Sequence, residues 1–273
     1  MSLLEAVVLG IVQGLTEFIP ISSTAHLRIV PAFFGWEDPG AAFTAVTQIG
    51  TLIAVLVFFR RDIATLSAAF VRSVLAMQPF QSSDSRMAWW ILFGTIPIGV
   101  FGLLFKELIE TDFRSLYVIA FSLIGLALLL LAAERLGKRS RSMDGMRFSD
   151  TQLIGLAQAL ALIPGASRSG TTITAGLLLN LRREDAARFS FLLSIPAIGL
   201  SGLYQLYELR NSLVGEIGIA LLIAVVVSGI IGYLSIAFLL RYLRNHSTGL
   251  FIGYRIILGI VILVMISMQH VQP

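Results

Sequence analysis

The sequence predicts an all-α polytopic membrane protein built from two inverted-topology repeats, each a re-entrant helix hairpin plus three transmembrane helices. Three observations lead there. The 273 residues are 56% hydrophobic and only 13% charged, with a mean hydropathy of +0.87, far from the balance of a soluble domain. Six apolar runs, 41–59, 87–105, 115–133, 189–207, 217–240 and 249–268, are each close to the ~20 helical residues needed to cross ~30 Å of hydrocarbon. Two further apolar stretches, 3–34 and 151–181, are broken in the middle by proline, glycine and hydroxyl residues.

The first broken stretch opens the chain. Pro20 and the hydroxyls Ser22, Ser23 and Thr24 interrupt it. Proline removes a backbone donor and clashes with the preceding turn, so a helix ends there. Polar, non-helical backbone at membrane depth survives only where it lines a protected cavity, which makes this a re-entrant hairpin. Ala6, Gly10 and Gly14 leave a stripe of small residues for close helix approach. The spans 41–59, 87–105 and 115–133 complete a first repeat, residues 1–133. Residues 63–77 between them suit a membrane-surface helix or a short tilted one. The basic segment 134–150 reads as a cytoplasmic linker.

The second repeat, 151–273, begins with the stretch broken by PGASRSGTT at 164–172 and continues through the other three spans. GIVQGLTEFIPISST from Gly10 resembles GLAQALALIPGASRSGTT from Gly155, with Gln13 opposite Gln158. Three crossings is an odd number, so the second repeat lies upside down relative to the first. The charges agree. Segments 60–86, 134–150, 182–188 and 241–248 hold fourteen of the 20 Lys and Arg residues. The opposite segments hold four: Arg28, Lys106, Arg114 and Arg210. The positive-inside rule then places both termini outside. One hairpin enters from each side, so that their loops meet near the midplane, where inverted-repeat proteins put their sites.

Composition also excludes. No cysteine is present, which removes disulfides and thiolate metal centres. The pI of 9.8 does not indicate nucleic acid, because the basic residues sit in short loops between spans. The N-terminus lacks a basic region and carries Glu5, so no cleavable leader is expected.

The chemistry gathers in the two loops. Gln13 and Glu17 are four apart and share a helix face. A carboxylate with a neighbouring amide suits a hard, oxygen-seeking cation such as Mg²⁺. Ser22, Ser23 and Thr24 read either as helix caps or as site hydroxyls; Ser23 with His26 three residues on can form a nucleophile–base pair, or His26 itself can attack and form a phosphohistidine. In the second loop, Ser167, Arg168, Ser169, Gly170, Thr171 and Thr172 combine tight-turning backbone with a helix N-terminus, which is an anion cradle. Arg168 can fork onto phosphate oxygens. An intramembrane arginine marks function by default. Arg255 lies within the last span with no obvious partner. A carboxylate, a cation site, a Ser/His pair and an arginine-lined cradle suit phosphoryl transfer on a lipid better than ion passage. A transporter or flippase of a lipid phosphate is the competing class, since broken helices in inverted repeats serve transport too.

At these residues the chain resembles the bacterial undecaprenyl-pyrophosphate phosphatases of the bacitracin-resistance type. The resemblance rests on Gln13, Glu17, Pro20, Ser22, Ser23, Thr24 and His26 in the first motif. In the second it rests on Pro164, Gly165, Ser167, Arg168, Ser169, Gly170 and Thr172. It implies hydrolysis of the C55 isoprenyl pyrophosphate to the monophosphate, recycling the carrier lipid of peptidoglycan synthesis. It implies a divalent cation, Mg²⁺ or alternatively Ca²⁺, held by Glu17 and Gln13. It also implies a bacterial inner-membrane location with the site reached from the outer face, competition with bacitracin for the same lipid, and compatibility with an oligomer. Ser23, His26, Glu17 and Arg168 would be catalytic, with Ser22, Thr24, Ser167, Ser169, Gly170, Thr171 and Thr172 binding substrate. Gln13 stands where many members carry a second glutamate, leaving one anionic ligand fewer.

Overall fold

The computed structural model describes residues 1–209 and 216–271, and among these the chain is all-helical apart from one isolated bridge between Arg141 and Leu181. In order, the helices are α1 (Leu3–Phe18), α2 (Ser23–Phe34), α3 (Gly40–Phe58), α4 (Arg60–Leu75), α5 (Ser83–Leu104) and the short α6 (Lys106–Glu110). They continue as α7 (Leu116–Leu136), α8 (Phe148–Ala159), α9 (Arg168–Leu178), α10 (Arg183–Leu209), α11 (Glu216–Asn245) and α12 (Gly249–Ser267). Helices α5, α7, α10, α11 and α12 are long and apolar enough to cross a membrane. Helix α3 turns by 82° into α4, so these two pass only as a bent pair.

Several helices outrun the expected spans. Helix α10 starts at Arg183 rather than 189, and α11 continues to Asn245 rather than 240. A hydropathy count stops at the first charges, but the helix does not, because those charges find partners across the bundle end. Arg244 pairs with Glu184 at 2.8 Å, Arg188 with Asp62 on α4, and Arg183 with Glu134 at the end of α7. Glu134 also accepts from Thr248, 2.8 Å from its Oγ1, so α7, α10 and the start of α12 are tied at one carboxylate. The 134–150 segment is more than a connector. Arg141 exchanges backbone hydrogen bonds with Asn180 and Arg182, both at 2.9 Å, and its guanidinium reaches Asp150 at 2.5 Å, docking the linker onto the α9–α10 turn.

The helices pack through small residues, as expected where lipid removes the hydrophobic drive between helices. Helix α1 lies along α11, α8 along α5, α3 along both α11 and α10, and α7 along α12. At Gly50 a Cβ would sit 2.0 Å from the Val225 carbonyl oxygen and 2.1 Å from Ser228 Oγ. Nothing larger than glycine fits between α3 and α11 there. Gly50→Val is expected to cost at least ~1–3 kcal/mol through overpacking, read as a lowered unfolding midpoint in detergent. A return to the wild-type midpoint would contradict this packing. Where α1 ends, Phe18 meets Phe191 edge-on with ring centroids 5.1 Å apart, anchoring the first hairpin against α10.

Candidate active site

Both broken stretches are helix–loop–helix units whose second helix begins at the site. Helix α1 stops at Phe18 because Pro20 follows, and α2 restarts at Ser23. Helix α8 tightens into a single 3₁₀ turn at 160–162 before the loop at Pro164, and α9 restarts at Arg168. The caps of the two restarted helices match closely. Ser22 has φ 76° and ψ 98°, and Ser167 has φ 70° and ψ 112°. Each hydroxyl accepts the backbone N–H three residues on, from Ala25 at 3.4 Å and Gly170 at 3.2 Å. A positive φ on a residue with a side chain costs of order 1–3 kcal/mol and persists where surrounding structure enforces it. Here it lets each chain reverse within three residues and start a helix aimed into the protein.

The two loops touch. Arg168 Nη2 donates to Glu17 Oε1 at 3.1 Å, Ser169 Oγ donates to the Ile19 carbonyl at 3.3 Å, and Gly165 N–H points to Thr24 Oγ1 at 3.5 Å. Glu17 is the hub. Its other oxygen accepts from Ser23 Oγ at 2.7 Å and from Gln13 Nε2 at 3.0 Å. The side chains of Arg168 and Glu17 are only 9% and 4% exposed. A pair this buried is costly to break, because removing one partner strands the other charge, at ~3–5 kcal/mol. Arg168 is steadied from its own side by the Ser190 carbonyl at 3.2 Å. Its Nε is buried with no partner among the described residues, so it keeps a donor in reserve.

A cavity of about 570 Å³ opens on this cluster. Glu17, Ser22, Ser23, Thr24, Ser167 and Arg168 line it. Ser23 and Arg168 are the first residues of α2 and α9, so two helix N-termini, each with unpaired N–H groups and a partial positive charge, converge on one space. Chemically the arrangement can take an anion, and it offers a hydroxyl on Ser23 that donates to the Glu17 carboxylate.

The remaining sequence candidates stand behind this wall. Thr172 Oγ1 bonds the Arg168 carbonyl at 2.7 Å and Ser190 Oγ at 2.6 Å, and Thr171 bonds the same carbonyl at 3.0 Å, so both brace the first turn of α9. Ser169 lies 3.3 Å from Ser167 Oγ besides reaching Ile19. At Gly170 a Cβ would come 2.6 Å from Arg255 Nη1, so glycine is needed there to admit a guanidinium. Gln13 holds Glu17 by its Nε2 and keeps Oε1 buried with no partner among the described residues.

His26 has hydrogen-bond partners other than Ser23. The Ser23–His26 pair suggested by the sequence is not formed. The imidazole folds back along α2, as helical side chains do. Its Nδ1 donates to the Ser22 carbonyl at 2.7 Å, which leaves Nε2 to accept from the Tyr254 hydroxyl at 2.6 Å. The two rings stack, 5.6 Å apart and 9° from parallel. Both His26 nitrogens are engaged and the residue is not among those lining the cavity; the hydrogen bond Ser23 makes is to Glu17.

Arg255 gains the partners its sequence position withheld. It is 0% exposed. Its guanidinium donates to the carbonyls of Ala166 at 2.9 Å and Gly165 at 3.1 Å, Leu123 at 3.3 Å, Pro20 at 3.4 Å and Ser122 at 3.5 Å. Pro20, Gly165 and Ala166 lie in the two loops, whereas Ser122 and Leu123 lie within α7. Neighbouring residues of α12, Tyr254 and Arg255, thus fix both loops at once. The only sequence signal for this role is the arginine itself, buried within an apolar run.

A family model described as bacitracin resistance protein BacA matches residues 6–261. A protein of Prosthecochloris aestuarii named undecaprenyl-diphosphatase is 56% identical over 281 residues covering 100% of both chains. One of the same name from Chloroherpeton thalassium is 58% identical, covering 100% of this chain and 99% of the relative. Another from Myxococcus xanthus is 54% identical over 273 residues, covering 100% of this chain and 92% of the relative.

Proposed function

The chain belongs to the bacitracin resistance protein BacA family, and on that premise we propose that it is an integral-membrane phosphatase hydrolysing undecaprenyl pyrophosphate to undecaprenyl phosphate and inorganic phosphate. The observation that carries the reading is the Glu17 carboxylate, held between the Ser23 hydroxyl at 2.7 Å and the Arg168 guanidinium at 3.1 Å. Arg168 donates to Glu17 at 3.1 Å. An arriving pyrophosphate draws Arg168 and the N-termini of α2 and α9 onto its oxygens, which frees Glu17 to act as a base. Ser23 Oγ attacks the terminal phosphorus while its proton passes to Glu17 Oε2. The bond from that phosphorus to the bridging oxygen breaks, and undecaprenyl phosphate leaves. Water then attacks the phosphoserine phosphorus, the bond to Ser23 Oγ breaks as Glu17 returns its proton to that oxygen, and inorganic phosphate departs carrying the protons of the water. Arg168 neutralises the charge on the transferring oxygens throughout.

The donor set around Glu17 suits a hard cation. Mg²⁺ takes one or two protein oxygens and fills its shell with water and substrate phosphate, and Gln13 Oε1 is a buried oxygen in want of a partner. Glu17 and Gln13 would hold the ion, which would supply further charge neutralisation on the pyrophosphate. Gln13→Glu adds an anionic ligand. It is expected to tighten cation binding on the order of tenfold, about 1.4 kcal/mol, seen as a lower Mn²⁺ dissociation constant by electron paramagnetic resonance. Unchanged binding would remove Gln13 from the ligand set.

Two inverted repeats, 1–133 and 151–273 joined by 134–150, account for the matched caps at Ser22 and Ser167. They also account for α1 lying on α11 as α8 lies on α5. Arg28, Lys106 and Arg114, on the basic-poor side, line the site cavity, which supports access from the outer face of the inner membrane with both termini outside. Bacitracin would compete there by sequestering the same lipid. The test is phosphate release from undecaprenyl pyrophosphate by purified protein in detergent, with Mg²⁺ and with EDTA. Detergent has no compartments, so a transporter of lipid phosphate releases nothing. Metal-dependent release supports the phosphatase, and none from folded protein under any cation contradicts it.

A further inference from the structure

We infer that the wall of the site cavity between α5 and α10 is a slot for the first isoprene units of the lipid, and that Gly99 sets its clearance. The inference rests on the phosphatase reading. The same cavity that holds Glu17, Ser23 and Arg168 continues along an apolar wall made by Ile98, Gly99 and Gly102 of α5 and Ala197 and Ile198 of α10. A lipid whose phosphates lie at Arg168 therefore has its chain on this wall by continuity. The cavity, at about 570 Å³, is the size of a small-molecule site, so it takes the head and the first units and leaves the remaining chain to the bilayer.

The glycines point to the same occupant. Five residues earlier, Gly94 is in tight packing, since a Cβ there would lie 3.2 Å from both Leu193 Cδ1 and the Thr151 carbonyl. Gly99 is not: a Cβ there meets nothing within 4 Å, and at Gly102 it meets only Leu162 Cδ2 at an ordinary 3.7 Å. Neither has a positive φ. Glycine weakens a helix interior and returns nothing to the fold here. Gly125 on α7 is open in the same way but does not line the cavity, so openness alone is not the argument. Gly99 lies on the wall of the same cavity that Glu17, Ser23 and Arg168 line. A polyprenyl chain carries a methyl branch on every unit and is wider than a straight acyl chain, so it is the chain that uses such clearance.

Gly99→Leu tests this, with Gly125→Leu as the control. Both are expected to fold with the wild-type unfolding midpoint, because each new side chain enters open space. Gly99→Leu should raise KM for undecaprenyl pyrophosphate at least tenfold, leave kcat/KM for methyl pyrophosphate unchanged, and lose retention of undecaprenyl phosphate in native mass spectrometry. Gly125→Leu should match wild type throughout. A wild-type KM and wild-type lipid retention in Gly99→Leu overturn the slot, as does equal loss on both substrates. The lipid-retention measurement needs no hydrolysis. Lipid held by wild type but not by Gly99→Leu supports the slot even where no phosphate is released, and failure of the phosphatase reading then shows separately.

Discussion

Glu17→Gln should lower kcat for phosphate release by about 10²–10⁴-fold, the range for loss of a general base, with a much smaller change in KM. The amide keeps the size of the carboxylate and can still accept from Arg168, now at 3.1 Å from Glu17 Oε1. It cannot take the proton of Ser23, whose hydroxyl now points at Oε2 from 2.7 Å. The substitution also strands Arg168 beside a neutral group in a buried place, so some stability is lost as well. Thermal unfolding in detergent separates the two effects. Arg168→Ala should cost about 10²–10³-fold, the range for removing one preorganised charge-stabilising donor. Because the two residues share one hydrogen bond, the double variant should lose less than the product of the single losses. Full additivity would mean that they act on different steps.

Arg255→Met should produce the largest loss of stability, on the order of 3–5 kcal/mol, with loss of activity following from loop disorder. The number reflects several buried carbonyls left without a donor, at ~1–3 kcal/mol each before relaxation. Five carbonyls from three parts of the chain converge on this side chain, and water cannot replace it at full burial. Methionine fills the volume but donates nothing. Arg255→Lys should recover part of the stability, since an ammonium reaches some of these oxygens without the planar fork. The check is the unfolding midpoint of both variants beside protease sensitivity at the 19–22 and 163–167 loops. If Arg255→Met unfolded with wild type, the carbonyl cluster would not be what holds the loops.

The architecture was legible because membrane constraints write themselves into composition. Uncharged runs gave the spans, and Pro20 and PGASRSGTT gave the breaks. The expectation that the two loops meet came from counting crossings and charges, and the Arg168–Glu17 contact joins them. What the sequence did not reveal lies at long separation. Whether His26 faces Ser23 depends on where Tyr254 arrives, 228 positions away. That is set by how α12 packs on α7, which no local spacing encodes. Local spacing offers His26 as the neighbour of Ser23, whereas the hydrogen bond Ser23 makes is to Glu17. Arg255 was visible as an anomaly, but its partners are backbone carbonyls, which carry no side-chain signature at all. The ends of α10 and α11 were missed for a related reason: hydropathy sees a charge as the edge of a span, whereas Glu184 and Arg244 neutralise each other and let both helices continue.

The measurement that bears most directly on the account is rapid-quench trapping with substrate labelled with ³²P at the terminal phosphorus. Attack by Ser23 predicts protein-bound label that survives acid, is released by base, maps to the peptide containing Ser23 and is absent in Ser23→Ala. Label that is acid-labile and base-stable, mapping to His26, would contradict it, as would rapid phosphate release in a single turnover with no label on Ser23 at any time.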